Sequence, residues 1–268
     1  MNSIMDGIGS EIKTRTEHCE THGDYESKCY LGTIWTKCPV CAEETQRRKD
    51  EEIAARAKES GLRAWACKVR NAGIPDRFHD RSLQSFVASN EGQAYALKFA
   101  ETYADQFDDV LTTGRSALFI GKPGTGKTHL AAGIGLRIMS RQGRTVMFTT
   151  VIRAIRRIKD TWGKASNETE TQAIETLVYP DLLVLDEVGV QFGSDTEKMI
   201  LFDVLNSRYE KRRPTLLLSN LTLDEVKAFL GERVFDRLRE DGGEAIVFDW
   251  ESHRGKADIA DALKGPAA

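Results

Sequence analysis

Eight residues, GKPGTGKT from Gly121 to Thr128, carry the strongest chemical signal in this chain. They match G-x-x-x-x-G-K-[S/T] in full. An apolar stretch that reads as a strand precedes them, and THLAAGIGLRIMSR, which reads as a helix, follows. In that setting Gly121, Lys122, Pro123, Gly124, Thr125 and Gly126 form a loop whose backbone N–H groups close around the β- and γ-phosphates of a nucleotide. The helix N-terminus adds partial positive charge there. Lys127 reaches the β/γ oxygens, the Thr128 hydroxyl ligates Mg²⁺, and His129 completes the segment. A second signal is LLVLDEVG, an apolar strand ending in Asp186 and Glu187. Asp186 is placed to hold Mg²⁺, directly or through water, and Glu187 to polarise an attacking water. A third is PTLLLSN, a strand ending in Asn220 that can lie beside the acid-bearing strand and reach the γ-phosphate or its water. The cofactors expected are ATP and Mg²⁺.

GERVFDRLRED, from Gly231 to Asp241, puts Arg233 and Arg237 four residues apart on one face of a short helix. A solvated face has this pattern, and so does a fixed, bidentate grip on phosphate. The residues alone leave both open.

A different chemistry sits near the N-terminus. Cys19-x-x-His22 and Cys38-x-x-Cys41 are separated by fifteen residues, the layout of a tetrahedral zinc ribbon. All four ligands are protein side chains, so the site is structural and supplies folding energy to a short segment. Cys29 and His18 are rival ligands outside the knuckle pairs, and Cys67 reads as a small packing residue. The first residues, MNSIMDGIGSEIKTRTEH, contain no apolar signal core, and no apolar run reaches the roughly 18–20 residues of a membrane span. The expected setting is the cytoplasm, where clustered cysteines hold metal more often than they pair as disulfides.

The elements that must position these groups fall into zones. Residues 1–45 read as loops and short strands forming a zinc-binding module. Residues 46–72 form a helical linker, with helix expected over 42–72, a break near Gly61 and an end at Gly73. Its thin apolar stripe suits a solvent-bridging connector or a docking helix. Residues 73–255 switch to α/β. Near-continuous apolar strands at 116–120, 144–150, 181–186, 214–219 and 244–249 alternate with amphipathic segments, which implies a five-stranded parallel sheet covered on both faces. Residues 256–268 read as a flexible tail. A chain of 268 residues, 40% hydrophobic and 29% charged with net charge −3, accommodates one substantial core and a small appendage, and is not a basic nucleic-acid coat.

Taken in order, phosphate loop, strand-Asp-Glu, strand-Ser-Asn and GERVFDRLRED resemble the AAA+ ATPases. More narrowly they resemble the DnaC-type helicase loaders and the related IstB-type transposition ATPases. AGIPDRFHDRSLQSF (72–86) and VFDWESHR (247–254) also resemble that group, so the likeness spans about residues 72–255. It implies an AAA+ core without a C-terminal lid, since only nineteen residues follow EAIVFD. It further implies that Arg237 reaches across to the γ-phosphate held by a neighbouring subunit, with Arg233 as helper, in an ATP-bridged oligomer. The N-terminal module then docks a replicative DNA helicase, although Tyr25, Tyr30 and Trp35 interleaved with Lys28 and Lys37 also suit base stacking.

TVIRAIRRIKDTW puts Val151, Ile155, Ile158 and Trp162 on one helix face and Arg153, Arg156, Arg157 and Lys159 away from it. By the same resemblance this helix contacts single-stranded DNA; a solvated basic face is the alternative. The function implied is ATP-dependent delivery of a helicase onto single-stranded DNA. A transposition helper ATPase and a nucleotide-gated adaptor with incidental turnover are the other readings.

Overall fold

The computed structural model describes residues 13–30, 33–163, 166–190 and 194–253. The expected flexible tail lies outside the described residues. The chain divides into two compact units, Met1–Ala66 and Cys67–Ala268.

In the first unit, β1 (Lys13–Cys19), β2 (Gly23–Tyr30) and β3 (Ile34–Trp35) form a small antiparallel sheet. Little of it is buried: Ser27, Cys29 and Cys38 are the buried residues described here. Arg15 stacks 4.0 Å over Trp35, and the Ser27 hydroxyl donates to the Thr36 carbonyl at 2.7 Å.

The helix α1 runs from Pro39 to Asn71 without interruption. The expected break at Gly61 is absent. An interior glycine costs about 1 kcal/mol relative to alanine, which lowers helix stability without ending it. The helix also starts earlier than expected, so Cys41 lies in its first turn. Ile53 and Leu62 are exposed, as is Cys67, which accepts from the Asn71 amide instead of packing.

The second unit is a five-stranded parallel sheet in the order β5-β6-β7-β4-β8. Its strands are β4 (Ala117–Gly121), β5 (Val146–Thr150), β6 (Leu182–Val188), β7 (Thr215–Ser219) and β8 (Glu244–Phe248). The central strands are buried on both faces, which is why they are apolar throughout. Alternate side chains serve different layers. Leu118, Ile120, Leu183, Leu185 and Leu217 pack with α5 (Val151–Asp160), α6 (Glu170–Val178), α7 (Asp195–Glu210), α8 (Leu223–Leu230) and α9 (Glu232–Arg239). On the other face Phe119 meets Phe99 of α2 (Glu91–Asp105), and α4 (Lys127–Arg141) buries Leu130, Ile134 and Ile138; the short α3 (Phe107–Thr113) links α2 to β4. Every crossover brings the chain back to the same edge, so the carboxyl ends of β4, β6 and β7 line up.

At the opposite edge Arg208 of α7 is fully buried. Its guanidinium donates to the carbonyls of Leu177, Val178, Pro180, Asp181 and Pro214 and to the Thr215 hydroxyl. These are the last carbonyls of α6 and the segments leading into β6 and β7.

Candidate nucleotide and metal sites

The phosphate loop joins β4 to α4 at the carboxyl edge of the sheet. Two glycines are fixed by close approach. Gly121 has φ +125°, and a Cβ there would lie 2.2 Å from the Phe248 carbonyl oxygen; Gly126 has φ +101°, and a Cβ would lie 2.7 Å from the Phe86 ring. The Lys127 ammonium donates to the carbonyls of Gly121 and Lys122 at 2.6 and 2.7 Å, inside the loop it serves. Thr128 donates its hydroxyl to Asp186 Oδ2 at 3.1 Å, which joins the two expected Mg²⁺ ligands directly.

Asp186 and Glu187 sit on an irregularity. The β6–β7 register shifts between Leu185 and Val188, and Glu187 adopts φ +60°, a left-handed conformation costly for a side chain with a Cβ. The distortion lets the Glu187 N–H donate to Asp186 Oδ1 at 2.8 Å. Burial pushes the Asp186 carboxyl up, opposed by this N–H and by the Thr128 hydroxyl. A divalent cation beside it would favour the ionised form, so the site's charge fits a metal–nucleotide complex.

A cleft of roughly 200 Å³ is lined by Pro123, Gly124, Gly126, Lys127, Thr128 and His129 with Asp186, Glu187 and Asn220. Asn220 follows β7, which pairs with β6 as its strand position requires. Arg77 and Phe78 line the same cleft. Both fall in AGIPDRFHDRSLQSF, whose residue pattern alone assigns them no role. His129 turns outward: its Nε2 lies 3.1 Å from the Ser82 carbonyl and 3.1 Å from the Ser85 hydroxyl, with Phe86 edge-on at 5.5 Å. Burial lowers its proton affinity. It therefore ties the start of α4 to the segment before α2.

Neither arginine of α9 lines this cleft. Arg237 stacks 4.8 Å over the Tyr209 ring, and its Nη1 is buried without a hydrogen-bond partner. Arg233 is exposed, 5.8 Å from the Phe202 ring. On α5, Val151, Ala154, Ile155 and Ile158 are buried as the pattern requires. Trp162 lies beyond the helix, half exposed, and donates to Glu170 at 2.9 Å. The four cations of this segment are not equivalent. Arg157 pairs with Glu168 at 2.7 Å and Lys159 with Glu197 at 2.6 Å. Among the described residues Arg153 and Arg156 are exposed and form no ion pair.

In the first unit the ligand atoms of Cys19, His22, Cys38 and Cys41 all lie within 4.8 Å of one another. Cys19 and Cys41 sulfurs are 3.6 Å apart, and His22 Nδ1 lies 3.8, 3.7 and 3.3 Å from the sulfurs of Cys19, Cys38 and Cys41. With Zn–S near 2.3 Å, a tetrahedral site has edges of about 3.7 Å, so the donor set fits zinc. Backbone N–H groups of Thr21 and His22 hold the Cys19 thiol down to about 6, ready to ligate as thiolate, whereas its neighbour Cys19 drives Cys41 up to about 11. Both rival ligands stand apart: His18 bonds Asp24 at 2.6 Å, and Cys29 points to the Tyr30 carbonyl. Glu44, one turn along α1 from Cys41, approaches His22 Nε2 at 3.6 Å; the Cys/His spacing alone did not single it out.

A parallel five-stranded sheet with a phosphate loop after one strand and paired acids on the next but one defines a P-loop ATPase fold of the AAA+ class. Residues 82–256 match the family described as IstB-like ATP binding protein, and the chain belongs to that family. It is 36% identical over 218 residues to the replicative helicase loader DnaC of Escherichia coli strain K12, covering 77% of this chain and 87% of the relative. It is 35% identical over 186 residues to the protein YdaV of the same strain, covering 69% and 73%. Among solved structures, the DnaC helicase loader aligns with TM-score 0.59 at 24% identity, over 65% of this chain and all of that one. DnaI aligns with TM-score 0.55 at 21%, over 65% and 94%. No helix among the described residues is long and apolar enough to cross a membrane.

Proposed function

We propose that this protein is an ATP-dependent loader that binds a replicative DNA helicase and delivers it onto single-stranded DNA in the cytoplasm. The observation that carries the proposal is a cleft lined by the phosphate loop, Asp186, Glu187 and Asn220 in a chain 36% identical to DnaC over most of both proteins. In this reading the loop from Gly121 to Gly126 wraps the phosphates, Lys127 neutralises the β/γ oxygens, and Thr128 with Asp186 holds Mg²⁺. Glu187 polarises the attacking water, and Asn220 orients it. Zinc held by Cys19, His22, Cys38 and Cys41 shapes a module that docks the helicase. Arg153 and Arg156, free of acidic partners, contribute more to DNA contact than Arg157 and Lys159, which must first leave Glu168 and Glu197.

Arg237, with Arg233 beside it, completes the hydrolytic site of a neighbouring subunit in an ATP-bridged oligomer. That neither lines the cleft of its own subunit supports action in trans. Leaving the Tyr209 ring costs Arg237 little, about 0.5–1 kcal/mol for a partly exposed cation–π contact.

The test combines the purified chain with the replicative hexameric helicase of its own host and a circular single strand coated with single-strand-binding protein. Helicase loading that requires ATP and this chain is expected. Failure to form any complex with the helicase at micromolar concentration defeats the loader reading. Stimulation of a transposase on duplex DNA in its place favours a transposition helper, and loading that persists with Glu187→Gln turnover abolished favours the nucleotide-gated adaptor. Mixing Arg237→Ala and Lys127→Ala chains tests the trans arginine. Partial recovery of ATPase activity is required, because an intact composite site re-forms where the Lys127→Ala chain presents its arginine to the other's nucleotide.

A further inference from the structure

The segment following β8 runs back along the phosphate loop and bonds three of its residues. The Lys122 N–H donates to the Phe248 carbonyl at 3.0 Å. The Trp250 indole Nε1–H donates to the Thr125 carbonyl at 2.9 Å, and the His253 N–H donates to the Gly124 carbonyl at 3.0 Å. Trp250 is itself held firmly. It is 8% exposed, its ring centroid lies 4.9 Å from that of Phe248, and α2 offers it a glycine: a Cβ at Gly92 would come within 3.3 Å of the indole. Gln93, buried beside it, donates its amide to His253 Nε2 at 3.1 Å while accepting from the Ser89 N–H. The strap is thus anchored on α2 and on β8, and it grips the loop through carbonyl oxygens.

A trans peptide unit points its carbonyl and the next N–H in opposite directions. A carbonyl held by the strap therefore turns the following N–H away from it. Trp250, holding the Thr125 carbonyl, fixes the Gly126 N–H; the His253 N–H, holding the Gly124 carbonyl, fixes the Thr125 N–H. Both N–H groups belong to the glycine-rich loop, whose Gly124, Gly126 and Lys127 line the cleft. A glycine-rich loop has many alternative backbone states, including ones that turn carbonyls toward a bound polyphosphate and repel it.

We infer that residues 248–253 are a positioning strap that presets the phosphate-binding N–H groups, with Trp250 as its principal positioning residue. The inference rests on the nucleotide reading above and deepens it. Trp250 touches no phosphate; it acts through the peptide between Thr125 and Gly126. Its contribution is preorganisation, felt as affinity for di- and triphosphate nucleotides.

Trp250→Phe keeps an aromatic ring beside Phe248 and removes the N–H together with part of the indole, so melting of the nucleotide-free protein reads the packing loss apart from the hydrogen bond. His253→Pro, at an exposed position, removes the other donor and also the imidazole that accepts from the buried Gln93 amide. Affinity for Mg·ADP is measured by calorimetry, alongside thermal melting of the nucleotide-free protein. Each variant is expected to raise the Kd for Mg·ADP by about five- to ten-fold, the size of one buried hydrogen bond, and the nucleotide-free Trp250→Phe protein to melt a few degrees earlier, the separate effect of the lost ring volume, roughly as core truncations do. Binding within two-fold of the unmodified chain in both variants overturns the strap. A Trp250→Phe protein that melts earlier but binds Mg·ADP unchanged makes Trp250 a packing residue and also overturns it. An unmodified chain that does not bind Mg·ADP at all sinks the nucleotide reading, and the strap with it.

Discussion

The Cys/His unit and the nucleotide-binding unit reach a defined fold by opposite routes. Among its described residues the first buries Ser27, Cys29 and Cys38, while the second buries Leu182 to Leu185, Leu216 to Leu218 and the helix faces packed against them. Apolar burial contributes about 25 cal/mol per Å². That term sustains a five-stranded sheet with two helical layers and cannot sustain a three-stranded ribbon of polar strands. A metal held by Cys19, His22, Cys38 and Cys41 would serve the ribbon as a folding ligand; the larger unit has its apolar core instead. Function follows the same division. A metal at the Cys/His cluster would fix a surface in the ribbon, whereas in the nucleotide unit the core fixes a row of strand ends on which charged groups are placed.

The largest way to break this comparison is to remove the metal. Purified without chelator, the chain is expected to hold one zinc. Stripping it unfolds the strands from Lys13 to Trp35, read as protease sensitivity confined to that region, and leaves the nucleotide-binding unit's melting transition in place. Less than half an equivalent of zinc, or a ribbon that survives chelation, removes the distinction between the two units.

The next effect tests the other side. Arg208, buried in the nucleotide unit, gathers carbonyls of three segments at one point, much as a metal gathers ligands. Burial pulls its pKa down to about 9, still protonated at neutral pH. Arg208→Leu strands those carbonyls and should destabilise the unit by about 3–5 kcal/mol, measured by urea unfolding, with zinc content unchanged. A loss below 1 kcal/mol means that apolar packing alone is sufficient there.

Smaller again is a change that spares both folds. Glu187→Gln should bind Mg·ATP with near-normal affinity and turn over about a hundred-fold more slowly, the scale of a lost general base. Turnover at the unmodified rate assigns the water-activating role elsewhere.

The two units were also unequally legible in the sequence. The strands of the nucleotide unit were readable because burial on both faces makes Leu182 to Leu185 and Thr215 to Leu218 continuous apolar runs, a local signal. The phosphate loop and the Cys/His pairs were readable because their chemistry fixes short spacings. Contacts between distant segments left no such trace. Arg208 sits in NSRYEKRR and looks like solvated charge; only the fold brings Leu177 and Pro214 to it. Trp250 reads as an aromatic after a strand until Thr125 is set beside it. The register shift at Asp186 and the left-handed Glu187 arise from pairing with β7, which no pattern in LLVLDEVG encodes. The basic face of α5 was visible, but its partial neutralisation by Glu168 and Glu197 was not.

The smallest effect concerns how the ribbon's metal is held. His22 turns Nδ1 toward the three sulfurs, which leaves Nε2 to be oriented from outside. Glu44 is the group that faces it, at 3.6 Å. An acceptor at Nε2 fixes the tautomer that leaves Nδ1 free to ligate, and a carboxylate also raises the ring's basicity. Glu44 can do this because Cys41 and Glu44 are one turn apart on α1, so the helix that supplies a ligand also supplies the group that orients another. Glu44→Gln keeps the size and a carbonyl acceptor and removes the charge. It is expected to weaken zinc binding about ten-fold, measured by competition with a chromophoric chelator, and to leave the zinc-loaded ribbon folded. Glu44→Ala should weaken it further, since orientation is lost together with charge. Equal zinc affinity in all three proteins means that His22 is oriented by the three thiolates alone, and that the ribbon's metal site is complete with its four ligands.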